Sequence, residues 1–171
     1  MKHALVAAFL LLTVGASPPV ARFGYIAPTA RESIWQPILD RYASDIEQRF
    51  AQTIPASVIA VPVSQTRDGS AKACRALDIS GYVEPHAHWR TTQSEVSVEA
   101  ELIVRDCNGN LYYQGSARRT SIRDNTMLPQ TQIDEVQGFA ATALLRNFQA
   151  FREAHAPAWE QLLNGGLIPA Q

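Results

Sequence analysis

Two alternations of opposite phase run through the middle of the chain. From Ile79 the odd positions Ile79, Gly81, Val83, Ala87 and Trp89 are mostly apolar and the even ones mostly polar. From Val96 the even positions Val96, Val98, Ala100, Leu102 and Val104 are apolar, against Glu95, Ser97, Glu99 and Glu101. A period of two predicts strands with one buried and one wet face. Leu111, Tyr113, Gly115 and Ala117 repeat the pattern after Asn108-Gly109, a strong hairpin signal. A tight turn near Thr91-Thr92 completes a three-strand antiparallel meander. The expected register sets Trp89 against Ser94, Val83 against Ala100 and Ile79 against Val104. Beyond the second turn it sets Cys107 against Asn110, Val104 against Tyr113 and Leu102 against Gly115. Both choices bring the apolar sets to one face, which a slip of one residue would undo.

Helical spacing appears on either side of the meander. Trp35, Leu39, Tyr42, Ile46 and Phe50 recur at intervals of three or four, with Ile38 widening the stripe. A T-x-x-E capping box at Thr29 and Glu32 precedes them, and Pro37 fits a first turn if the helix begins near Ser33 and otherwise implies a kink. Residues 19–27 and 57–63 read as strands around this helix. A polar loop, Ser64 to Gly69, leads into a short helix from Ser70 to Ala76. After the meander, Thr131 is expected to cap a long helix with the inner stripe Ile133, Val136, Ala140, Leu144 and Phe151. Pro157 interrupts it, and Trp159, Leu162 and Leu163 form a last short helix ended by Gly165-Gly166. The fold class is α+β, in the order β-α-β-α-β-β-β-α, with helices packed on one face of the sheet.

The amino terminus changes the picture. Met1-Lys2-His3, an apolar run from Ala4 to Val14 and then Gly15-Ala16-Ser17 form the secretory pattern, too short to span a bilayer. Residues 1–16 are therefore expected to be a signal peptide and 17–171 a single domain. Its core is expected at about 19–152, with a short helix and tail at 157–171. The expected address is the bacterial periplasm, without a transmembrane segment and without a lipid anchor, since no cysteine follows the apolar run. In that oxidising compartment Cys74 and Cys107 should pair. The meander supports this: Cys74 precedes its first strand, Cys107 follows its second, and antiparallel pairing brings those ends together.

Composition sets further limits. The 171 residues are 46% hydrophobic and 18% charged, with a net charge of −1. That is enough for one domain with a real core. Nucleic acid is not an expected partner. Arg118, Arg119 and Arg123 do not form one patch, because strand alternation sends Arg118 and Arg119 to opposite faces.

Candidate chemistry is sparse, and no catalytic residue is assigned. His86 and His88 share one strand face, and the expected register sets Glu95 opposite His88. Two imidazoles and a carboxylate are ligands that suit zinc or copper. The alternative is a solvated sheet face, on which Glu99 pairs with Arg118 for less than ~1 kcal/mol. Gly69-Ser70-Ala71-Lys72 lacks the Walker spacing and reads as a helix start. There is no G-x-S-x-G elbow. Asp134-Glu135 is expected in a first helical turn and His155 near a helix end, where the macrodipole favours each charge. No cofactor is expected.

Leu77-Asp78-Ile79-Ser80-Gly81-Tyr82-Val83, together with residues 98–115, resembles a group of bacterial envelope domains. The group includes the amino-terminal domain of TolB, the curli-export lipoprotein CsgG and the lipoprotein activators of penicillin-binding proteins. Their paired motifs are Y-I-L-x-G-x-I and V-x-L-x-L-V-D-x-x-T-G-x-x-x-W-x-G; Asp106, Gly109, Tyr113 and Gly115 stand at matching places. The resemblance covers about residues 19–152 and rests on turn and strand residues. The lipidation cysteine, the membrane-inserting hairpins and a TolB-like propeller have no counterpart. It implies a non-catalytic accessory domain that binds another envelope protein. A metal-binding protein and a hydrolase of unfamiliar type are the alternatives.

Overall fold

The computed structural model describes residues 21–28, 35–53, 56–60, 74 and 76–165. A mixed five-stranded sheet is built from β1 (Ala21–Tyr25), β2 (Ala56–Ala60), β3 (Gly81–Thr91), β4 (Glu95–Asp106) and β5 (Leu111–Ile122). Its spatial order is β2-β1-β3-β4-β5. β1 pairs in parallel with both β2 and β3, and the remaining pairs are antiparallel. Helices α1 (Gln36–Thr53) and α2 (Pro129–Ala154) lie against the sheet, and α3 (Ala156–Leu163) closes the chain's last described turn. The α+β class and the up-down-up meander are as the patterning requires.

The core forms where the alternations meet the helical stripes. Val96, Val98, Ala100, Leu102 and Val104 are all fully buried, as are Ile46, Phe50, Ile133, Ala140, Leu144 and Phe148 from the two long helices. At about 25 cal/mol per Å², each large aliphatic chain so buried stabilises the fold by roughly 1.5–3 kcal/mol. Tyr42 crosses this layer and donates its hydroxyl to the Glu101 carbonyl at 3.1 Å. The core also runs past the expected boundary at 152. Trp159 stacks on Phe23 with ring centroids 5.7 Å apart and meets Phe148 edge-on, and Leu162 is fully buried. The last short helix is thus part of the main core.

Two glycines are dictated by packing. A Cβ at Gly81 would collide with the Arg105 carbonyl oxygen. One at Gly115 would collide with the ring and hydroxyl of Tyr113, which lies over the gap that Gly115 leaves.

The second hairpin has the expected register at Val104, opposite Tyr113, and Leu102, opposite Gly115, but a bulge between Val104 and Arg105 shifts it by one residue toward the turn, so that Asn110 meets Asp106 and not Cys107. Its turn is held by buried Asp106, whose carboxylate accepts the Asn108 and Asn110 amides at 2.8 and 2.9 Å. Gly109 takes a φ of 84°, open to glycine without strain. The first hairpin differs from expectation. Trp89 faces Val98, not Ser94, and Val83 faces Val104, not Ala100. The turn lies two residues further on, closed by the Thr92 amide donating to the Glu95 carbonyl at 2.8 Å. The Thr92 hydroxyl oxygen accepts the Ser94 and Glu95 amides as well. The offset amounts to four residues along the partner strand. Being even, it leaves the apolar faces aligned.

Other expectations need correcting. Ile79 is not a strand residue opposite Val104; it joins Cys74, Tyr82 and Cys107 in a second small core. Thr131 does not cap α2. The helix begins two residues earlier, with Pro129 in its first turn, where the absent N–H removes nothing. Asp134 therefore lies in the second turn and pairs with Arg41 of α1 at 2.5 Å. Pro37 sits in the first turn of α1 and introduces no kink. Cys74, Ala76 and Leu77 are helical. The rest of that short helix, the signal peptide at 1–16, the Thr29–Glu32 box, residues 61–63 of the second strand, the loop from Ser64 to Gly69 and Gly166 lie outside the described residues.

Cys74 and Cys107 form the expected disulfide, with Cα atoms 5.8 Å apart and a sequence separation of 33. Closing such a loop should contribute roughly 3–4 kcal/mol, chiefly by restricting the unfolded chain. Replacing both cysteines by serine should lower the urea unfolding free energy by about that amount without changing the native circular dichroism. Recovery of both as free thiols from exported material would contradict the pairing.

Burial raises the pKa of the Tyr25 and Tyr42 hydroxyls well above the usual phenol range, with the Glu47 and Asp40 carboxylates adding to the effect at Tyr25. The Tyr112 hydroxyl is pushed up to about 12, again mainly by burial. Folded values above the unfolded value near 10 mean full stability below about pH 10 and a loss as pH climbs through the folded values. Unfolding free energy should therefore be flat from neutrality to about pH 10 and then fall. Tyr42→Phe should make the alkaline fall shallower.

Candidate functional site

Among the described residues, the strand ladder that carries candidate chemistry is the wet face of β3, β4 and β5. Register puts His86 beside Glu101 and His88 beside Glu99, all on the face turned away from α1 and α2. Glu99 in turn lies beside Arg118, as expected. The side chains do not form that ion pair. Glu99 accepts the Ser116 hydroxyl at 3.0 Å, Glu101 accepts the Gln114 amide at 2.8 Å, and Arg118 reaches Ser97 Oγ at 3.4 Å. The polar ladder thus satisfies much of its own hydrogen bonding across the strands.

The expected metal trio does not assemble. Glu95 is paired with Ile122 at the turn end of β4, four residues from Glu99, the true neighbour of His88. Four strand residues span ~13 Å, several times a ligand–metal distance. Among the described residues no group of three or more His, Cys, Asp or Glu side chains is placed to share an ion. The error follows directly from the first-hairpin register. The candidates considered for other chemistry are equally dispersed. Arg118 and Arg119 point to opposite faces, and Arg123 instead donates to the Thr92 carbonyl at 3.0 Å, tying down the first turn. His155 accepts or donates through Nδ1 to the Phe151 carbonyl at 2.8 Å and stacks on the Phe151 ring. Gly69-Ser70-Ala71-Lys72 lies outside the described residues.

Two features were not read from the sequence. The first is a shallow groove of about 270 Å³ along the α1–α2 seam, lined by Arg41, Asp45, Arg49, Asp134 and Gln137 among others. Its charges neutralise one another: Arg41 pairs with Asp134, and Arg49 with Asp45 at 2.7 Å. The second is an exposed flank. Ile122, Leu128 and Phe139 are 84%, 71% and 61% exposed. Ile122 ends β5, Leu128 precedes α2, and Phe139 lies three helical turns beyond Leu128 on the same side of α2. All three border the free side of β5, the last strand of the sheet. Apolar residues in the loop and at a helix position outside the inner stripe were the available signal.

Among the described residues, a sheet with two long helices on one face and β2 and β5 as its border strands defines an α+β layer fold without an enclosed polar cleft. No family model and no curated protein matches the chain. Among solved structures it is similar to a single-substitution variant of the PelC dodecamer from Paraburkholderia phytofirmans. That match has 13% identity and a TM-score of 0.52, covering 76% of this chain and 93% of the other. A second PelC dodecamer structure from the same organism matches at 14% identity and TM-score 0.52, over 76% of this chain and 87% of that one. The likeness concerns the fold.

If the histidines only decorate a solvated face, zinc or a chelator should leave the melting temperature unchanged, and His86→Ala/His88→Ala should melt as the parent does with and without zinc. A zinc-dependent rise lost in that double variant would restore the metal reading.

Proposed function

We propose that this chain is an exported, non-catalytic envelope protein that works through protein–protein contacts, including contacts between its own copies. The observation that carries the reading is the flank of exposed apolar side chains beside an unpaired strand, since such patches mark interaction sites on soluble domains. Three further features support it. The secretory pattern at residues 1–16 and the Cys74–Cys107 bridge both suit an oxidising compartment, which for a bacterial chain is the periplasm. The two PelC structures to which the fold is similar are dodecamers. The motifs around Gly81 and Asp106–Gly115 resemble those of the TolB, CsgG and penicillin-binding-protein-activator group, whose domains bind other envelope components.

Expression of the full chain in a Gram-negative host, followed by osmotic shock and native mass spectrometry, tests this directly. The expected species starts after about Ala16, contains the disulfide and has a mass that is a multiple of the mature chain. A monomer at every concentration, with nothing captured by crosslinking in the intact envelope, would defeat the proposal.

A further inference from the structure

Two of the chain's asparagines precede a glycine, Asn108 in the second hairpin turn and Asn164 just after α3. That pair of residues carries a latent reaction. The peptide nitrogen after an asparagine lies within reach of the side-chain carboxamide carbon, and closing a five-membered ring between them needs a backbone free to turn. Glycine places no Cβ in the way and restricts the backbone least. Asn110, Asn125 and Asn147 precede Leu111, Thr126 and Phe148, whose side chains crowd the attacking nitrogen.

The structure separates the two sites. Asn164 donates Nδ2 to the Glu160 carbonyl at 2.9 Å, which turns its carboxamide back along the helix. Asn108 is exposed, and among the described residues its side chain makes no hydrogen bond. Gly109 is exposed as well, and beyond its chain neighbours no atom lies within 4 Å of where a Cβ would stand, so a closing ring has room. Both glycine amides donate one bond, Gly109 to the Asp106 carbonyl and Gly165 to the Leu162 carbonyl, each at 3.0 Å. That restraint is common to both sites, and the carboxamide bond is what differs. Opening one bond at an exposed turn lies at the low end of the local unfolding costs in a domain.

We propose that Asn108 is a site of self-modification in the folded protein, converting to aspartate and isoaspartate without an enzyme while Asn164 is preserved. The Gly109 nitrogen, its proton removed by hydroxide, attacks Cγ of Asn108. The N–Cγ bond forms, the Cγ–Nδ2 bond breaks, and Nδ2 leaves as ammonia after taking a proton from water. Water then opens the cyclic imide at one of its two carbonyl carbons. Opening at Cγ restores the main chain with aspartate at position 108. Opening at the main-chain carbonyl carbon leaves the chain running through Cγ, which is isoaspartate. No oxidant or reductant takes part.

Both products add a carboxylate beside buried Asp106, whose Oδ1 already accepts the amides of Asn108 and Asn110. Isoaspartate also adds a methylene to the main chain, inside a turn closed by the Gly109–Asp106 and Asp106–Asn110 bonds. Those bonds cannot all survive in the longer loop. Cys107 lies in the same turn, so the reaction ages the end of the hairpin that the disulfide ties down.

The test follows the mature full chain, disulfide intact, through incubation at neutral and mildly alkaline pH. Digestion under acidic conditions keeps the assay itself from adding product. The peptide holding residue 108 should gain the mass of exchanging NH2 for OH, faster as hydroxide rises, and should become a substrate for isoaspartyl methylation. The peptide holding residue 164 should change at least about fivefold more slowly, the ratio that one extra hydrogen bond of about 1 kcal/mol produces. In denaturant with the disulfide reduced, the two should react at similar rates. Asn108→Gln, whose ring closure is six-membered and less favourable, should remove the acidic species seen by ion exchange, and Asn164→Gln should leave it. A folded chain in which residue 108 stays intact while the denatured chain reacts at both places overturns the proposal, because the turn bonds then protect the site. Equal rates at 108 and 164 in the folded chain overturn the part assigned to the Glu160 bond.

Discussion

Everything in the molecule hangs on the inward row of β4, in which Val96, Val98, Ala100, Leu102 and Val104 are all wholly excluded from solvent. β3 and β5 pair on either side of it, and α1 and α2 cover it. The residues between them are Glu95, Ser97, Glu99, Glu101 and Ile103. An odd slip of either hairpin would oppose greasy and wet faces, and turning β4 over would bury three carboxylates. Burying an unpaired carboxylate costs many times what a methyl group contributes. Parity is therefore enforced along the whole meander by side chains that never meet a ligand.

Parity is also what limited the reading of the sequence. Registers that differ by an even number are equal by that criterion, and only turn chemistry separates them. Asn108-Gly109 supplies such chemistry: Gly109 accepts a positive φ, and Asp106 collects the turn's amides, so the second hairpin was legible as far as Val104 and Tyr113, while the bulge beyond them carries no signature in the pattern. Thr92-Gln93-Ser94-Glu95 has no such signature. It closes through the Thr92 hydroxyl, a weaker device that the neighbouring Thr91 and Ser94 offer equally in sequence. The disulfide survived the error because it depends on which strand ends coincide rather than on which residues pair. The His86–His88–Glu95 site did not, because a ligand set needs register, and three glutamates spaced along β4 offered more than one choice.

The helices show the same division. Inner stripes were legible because burial follows the period of 3.6. The start of α2 was misread because Thr131 is a good cap residue in isolation, while Pro129 two positions earlier pre-sets the helical φ and begins the helix. The role of α3 was underestimated for a different reason. Trp159 belongs to a stack with Phe23, Phe148 and Tyr112, residues from both ends of the chain, and no local pattern announces contacts of that separation.

The distribution of satisfied and unsatisfied groups decides which surface has energy left for a partner. On the open face Glu99, Glu101, Ser116, Gln114, Arg118 and Ser97 bond to one another across strands, so a partner there would have to replace bonds already made. In the α1–α2 groove the two arginine–aspartate pairs neutralise each other. On the β5 side the balance is different: Ile122, Leu128 and Phe139 keep their apolar area in water. Desolvating such apolar area is favourable at about 25 cal/mol per Å² and requires no existing ion pair to be broken. Arg119 and Gln132 meanwhile plug the carbonyls of Arg118 and Ile122 at one end of β5, which restricts strand addition there. Among the described residues the apolar area left in water is thus concentrated on the β5 side of the sheet, where Ile122, Leu128 and Phe139 stand.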